Sequence, residues 1–83
     1  MDDKSTYCVN AHMGNYRKIF GQNVRQARKA VDISQESLGL EIGIDRTYIS
    51  GIERGVRNPS LDVICKIAEH LDVTPSWLLS ETD

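Results

Sequence analysis

From Asn15 onward the apolar positions fall at helical spacing. Phe20, Val24, Ala27 and Val31 recur in the i, i+4, i+7 rhythm of one buried helix face. Gly21 interrupts that helix at a cost of about 1 kcal/mol against Ala, which a close approach by a neighbouring element would explain. Ser34 is a good N-cap for a second helix over about Gln35 to Ile42, with Ile33 and Leu38 in the positions of a hydrophobic staple and Gly43 as its stop. The device repeats at once: Asp45 caps, Ile44 and Ile49 staple, and a third helix runs to Gly55. Pro59 disfavours helix at Asn58, so "VRNP" is a loop. Ser60 caps a fourth helix whose stripe is Leu61, Ile64, Ala68 and Leu71, widened by Val63 and Ile67. Thr74 caps a last short helix with Pro75 at its first position, followed by Trp77, Leu78 and Leu79. No stretch alternates as a strand would. The pattern predicts an all-α bundle of five short helices over residues 15–83, preceded by a flexible arm over 1–14 that has no periodicity.

Composition narrows the class. The chain has 83 residues, 40% hydrophobic and 27% charged, as in a soluble single domain. No apolar run approaches the roughly 20 residues that cross a bilayer, and "MDDKST" lacks the order of a signal peptide. Cys8 and Cys65 stand far apart, which argues for reduced thiols in a cytoplasm and against zinc. Cys65 itself reads as a small core residue. The net charge of −2 is unevenly spread: residues 16–57 carry eight Arg or Lys against five acids, whereas residues 58–83 carry Lys66 against five acids. A basic middle and an acidic tail suit a phosphate-facing side, and equally a mixed solvated surface. His12 and His70 are isolated, and no nucleophile–base pair, metal-ligand cluster or phosphate loop occurs. The expectation is therefore no enzyme, no cofactor and no small-molecule ligand.

The third helix separates into two faces when its residues are placed about 100° apart. Ile49 and Ile52 point one way, with Tyr48 and Glu53 at their margins. Opposite them lie Thr47 and Arg54, flanked by Ser50 and Gly51, with Arg46 at the edge. Gly51 in mid-helix costs about 1 kcal/mol against Ala, and close approach by another surface would account for it. A helix that merely faces water remains the alternative.

Residues 21–73, "GQNVRQARKAVDISQESLGLEIGIDRTYISGIERGVRNPSLDVICKIAEHLDV", resemble the helix-turn-helix domain of phage repressors and Cro/Xre-type regulators. Leu38, Ile42, Ile44, Ile49 and Ile52 match the core positions of that motif, and Gly43 its turn. Gly39 stands where the family usually has Ala. Within the family, "DRTYISGIERGVRNPS" is especially similar to the controller proteins of restriction–modification systems. The resemblance implies a five-helix lambda-repressor-like bundle whose third helix enters the major groove of double-stranded DNA. It implies base reading by Arg46, Thr47 and Ser50. Backbone contacts fall to Gln35, Tyr48, Arg54, Arg57 and Asn58, with half-buried packing an equal alternative for Tyr48. It also implies a structural ion pair between Arg28 and Glu53.

The function so implied is a sequence-specific transcriptional regulator acting as a homodimer on a pseudo-palindromic operator. The dimer face is expected on Val63, Ile67, Trp77, Leu78 and Leu79, for which an ordinary core is the alternative. Two roles fit Glu36: a contact to RNA polymerase, as on the same helix of related activators, or service to the helix dipole. A phage or prophage repressor and an antitoxin-type interaction module are the competing readings.

Overall fold

The computed structural model describes residues 16–81, so Tyr7, Cys8, His12 and the rest of the expected arm lie outside the described residues. The elements are α1 (Tyr16–Ala30), α2 (Gln35–Ile42), α3 (Arg46–Glu53), α4 (Leu61–Leu71) and α5 (Pro75–Leu78), with no strand among the described residues. None of these helices is long and apolar enough to cross a membrane.

Local capping sets most of the boundaries. The hydroxyls of Ser34, Ser60 and Thr74 each accept the amide N–H three residues on, from Ser37, Val63 and Trp77. Gly43 takes the left-handed conformation (φ 76°, ψ 33°) that lets α2 stop and the chain turn into α3. Asp45 departs from the expected cap. Its backbone is extended but its carboxylate accepts the hydroxyl of Thr47 and no helix amide.

The helices bury one shared core: Phe20, Val24 and Ala27 from α1, Leu38 from α2, Ile49 and Ile52 from α3, Ile67, Ala68 and Leu71 from α4, and Leu78 from α5. α1 lies against α3 and α5, while α2 lies against α3 and α4. Gly21 makes the first of these contacts possible, because a Cβ there would run into the carbonyl oxygens of Ile52 and Glu53. Gly39 is likewise pressed against the Ile44 carbonyl, so the crossing is tight for even a methyl group.

Three expectations about the core fail, at Val31, Cys65 and Leu61, the last of which is 70% exposed near the start of α4. Val31 is 49% exposed, because α1 ends at Ala30 and Asp32 turns the chain with a φ of 60°. Cys65 is exposed, since the inward side of α4 is centred on Ile67, Ala68 and Leu71 and residue 65 points away from it. Asn23, which the apolar pattern passed over, is buried. Its side-chain amide donates to the carbonyls of Trp77, Leu78 and Ser80 at 3.2, 2.9 and 2.9 Å. These carbonyls lie at and just past the end of α5; that of Trp77 also accepts the amide and hydroxyl of Ser80, and a buried Asn on α1 supplies a donor to all three.

Candidate nucleic-acid interface

The inward side of α3 fixes the helix on the domain. Ile49 and Ile52 are fully buried, and Glu53 is anchored by charge. Arg28 donates from Nε to Glu53 Oε2 at 2.7 Å and from Nη2 to Oε1 at 3.0 Å. Its Nη1 donates to the carbonyl of Ile33 at 2.8 Å, which ties the α1–α2 turn to the same pair. The side chains of Arg28 and Glu53 are 10% and 2% exposed. The hydrogen bond to Glu53 holds the Arg28 guanidinium above its ordinary pKa; burial opposes this and the charge of Glu53 reinforces it.

Gln35 is drawn into that pair. Its Nε2 donates to Glu53 Oε1 at 3.0 Å, so one of its two amide N–H bonds is committed inside the protein. Beside it, Arg25, Arg28, Ser34, Gln35, Glu36 and Arg46 line an open concavity where the N-termini of α2 and α3 converge on α1. Arg25 is not among the residues that the sequence pattern assigns to the interface. It precedes Arg28 by three residues, and that helical spacing alone would have placed it on the same side of α1.

The outward side of α3 carries Arg46 and Thr47, both exposed, with Ser50 half-buried and Arg54 exposed at the helix end. Because the Thr47 hydroxyl is turned to Asp45, its methyl group is the part left for an external contact. Asn58 is exposed on the following loop. Tyr48 is half-buried against the core, and the Arg57 guanidinium lies over its ring at 5.3 Å from the centroid.

Gly51 is the main departure from expectation on this side. It is buried, not bare, because the Arg57 side chain covers it: a Cβ at residue 51 would sit 2.7 Å from Arg57 Cγ. The close approach that a mid-helix glycine suggested is made by the protein's own arginine.

The residues expected at a dimer face divide. Ile67 and Leu78 have no exposed surface, because the core of a single chain already encloses them. Val63 and Trp77 are half-buried and Leu79 is 37% exposed. Leu61, expected in the buried stripe, is 70% exposed near the start of α4. An apolar cleft between α1 and α4 is lined by Tyr16, Phe20, Pro59, Ile64 and Leu79 among others. Among the described residues, no group of three or more His, Cys, Asp or Glu is placed to hold a metal ion.

Residues 24–78 match the family described as Helix-turn-helix. The chain is 54% identical over 69 residues to the control protein C.BamHI of Bacillus amyloliquefaciens, covering 82% of this chain and 85% of that one. It is 42% identical over 72 residues to the control protein C.MunI of a Mycoplasma species, covering 86% and 97%. The crystal structure of the restriction-modification controller protein C.AhdI from Aeromonas hydrophila superposes with a TM-score of 0.71 at 47% identity, covering 75% of this chain and 94% of that one.

Proposed function

This chain belongs to the Cro/Xre-type helix-turn-helix family, and on that premise we propose that it is the controller protein of a restriction–modification system. In this reading it regulates transcription in the cytoplasm, as a homodimer bound to a pseudo-palindromic operator in double-stranded DNA. The observation that carries the proposal is the two-sidedness of α3. Ile49, Ile52 and the Arg28–Glu53 pair lock one side to the core, which leaves Arg46, Thr47, Ser50 and Arg54 at a fixed angle on the other.

Each outward residue has chemistry suited to a groove. Arg46 can hold guanine O6 and N7 with two parallel N–H bonds, the Thr47 methyl can pack on a thymine methyl, and Ser50 can donate or accept. Arg54, Arg57, Asn58 and Tyr48 flank them as phosphate and sugar contacts. Gln35 joins these through the second N–H of its amide, beside the free amides at the start of α2.

Two such helices are needed for tight binding, because one recognition helix grips one half-site. Val63, Trp77 and Leu79, with Leu61 added, form the dimer face in this proposal; they are apolar residues of α4, of α5 and just after it that the core does not fully enclose. Glu36 is exposed on α2, one turn from Leu40, which is 78% exposed. An acidic group beside a bare leucine supports a contact to RNA polymerase there. Glu36→Lys that left reporter transcription unchanged would remove that part of the reading.

Selection of bound sites from random double-stranded DNA tests the whole. The expected result is two inverted half-sites about one helical turn apart, roughly 10–10.5 base pairs centre to centre. Recovery of no enriched sequence overturns the proposal.

A further inference from the structure

Gly51 and Tyr48 lie three residues apart on α3, and Arg57 rests on both. The Arg57 stem crosses the helix where residue 51 has no side chain, so that a Cβ there would meet its Cγ at 2.7 Å, Nε at 3.0 Å and Cδ at 3.4 Å. The guanidinium then reaches the Tyr48 ring, 5.3 Å from its centroid. The loop bearing Arg57 is itself stitched to the end of α3, by Gly55 N–H to the Ile52 carbonyl and Val56 N–H to the Gly51 carbonyl, each at 3.0 Å. Three constraints of different kinds thus converge on one long, otherwise flexible side chain: loop anchoring, a saddle without a Cβ, and an aromatic rest.

We propose that Gly51 and Tyr48 are positioning residues, which hold Arg57 along the recognition helix as a preformed clamp for a DNA phosphate. The proposal rests on the DNA-binding reading above and adds how one backbone contact is built. An unrestrained arginine loses much rotamer freedom when it docks, and rigidity already present in the free protein lowers that loss. Stacking on a ring leaves the planar N–H edge of a guanidinium available for two parallel bonds to phosphate oxygens. Gly51 is kept glycine, in this view, by the arginine above it and not by the DNA.

The test is a set of variants titrated against the operator selected for the wild type. Gly51→Ala removes the saddle while favouring the helix, so its thermal midpoint should hold or rise. Its binding should weaken by about tenfold or more, the scale of one hydrogen bond to a charged group. The slope of affinity against salt should fall by about one counterion. Arg57→Ala should show the same loss, and the double variant should bind no more weakly than Arg57→Ala alone. Tyr48→Leu gives a second route should Gly51→Ala fold poorly. It should abolish the ring-current shift of the Arg57 side-chain protons in NMR spectra of the free protein, and its effect on binding should shrink in the Arg57→Ala background.

The inference is overturned if Gly51→Ala binds as tightly as the wild type. It is overturned equally if Gly51→Ala weakens binding just as much without Arg57, which would mean that DNA itself touches residue 51. Absence of a ring-current shift in the free wild type also defeats it. A wild type that binds no DNA defeats the functional reading instead, whatever the NMR shows.

Discussion

Removing the Glu53 carboxylate tests whether the bond network, more than helix propensity, holds the recognition helix in place. Glu53→Ala strands the Arg28 guanidinium in a site where its side chain is 10% exposed, with only the Ile33 carbonyl left as a protein acceptor. It also releases the Gln35 amide, although that group is half-exposed and water can replace the lost acceptor. Breaking a buried pair from one side costs about 3–5 kcal/mol, because the remaining charge stays desolvated without compensation. Domains of this kind are stable by only about 5–15 kcal/mol in all. At about 4–8 °C per kcal/mol for 60–100 residues, the thermal midpoint should fall by at least about 12 °C. Urea unfolding followed by circular dichroism at 222 nm measures the same loss, read as a shift in midpoint at constant slope. A paired replacement, Arg28→Met with Glu53→Leu, removes both charges together and should recover most of the stability lost by Glu53→Ala. The reasoning is refuted if Glu53→Ala costs less than about 1 kcal/mol, the range of an exposed pair. It is refuted too if the double variant is no more stable than Glu53→Ala.

Three further outcomes follow from other parts of the molecule. Asn23→Ala takes the side-chain donor from the carbonyls of Leu78 and Ser80, while that of Trp77 keeps Ser80, and should cost about 1–3 kcal/mol in urea unfolding; an unchanged midpoint would mean that water replaces the amide. Arg46→Ala should relax base preference at one operator position by about 1–3 kcal/mol, whereas Arg57→Ala should weaken all sequences alike, so identical specificity profiles in gel-shift titrations would remove the base-reading assignment. Leu79→Glu places a charge on the proposed dimer face, at a residue that is 37% exposed and outside the core, so sedimentation of wild type and variant together should show a dimer converted to monomer with native helix content; a monomeric wild type would remove the dimer proposal, and an unchanged dimer mass would move the interface elsewhere.

Much of this protein is legible in order along the chain, and the reasons are local. Ser34, Ser60 and Thr74 cap helices by bonding an amide three residues on, a distance that sequence fixes by itself. Gly43 marks the turn because a left-handed residue there favours glycine. The periodicity of Ile49 and Ile52 identifies the inward face of α3, and with it the outward set Arg46, Thr47, Ser50 and Arg54. Asp45 shows where a local rule fails: a hydroxyl two residues on, that of Thr47, competes successfully for the same carboxylate.

What covers each face is another matter, because a repeat of apolar positions names a side of a helix and not its occupant. Asn23 reaches carbonyls 54 to 57 residues away, so no window along α1 could show why it is buried. Val31 kept the right phase but lost its helix at Ala30, and Cys65 lies on the wrong side of α4 to join the core. Ile67 and Leu78 share the apolarity of Leu79, yet only the packing of α1, α4 and α5 separates the enclosed residues from the accessible one. Gln35 and Gly51 changed most: the first gained Glu53 as a partner, and the second gained Arg57 as its cover. Sequence alone determined the helices, their turn and the polar face of α3, since those follow from short-range geometry. Tertiary structure decided which polar groups on that face are free to meet DNA, because that depends on side chains arriving from elsewhere in the chain.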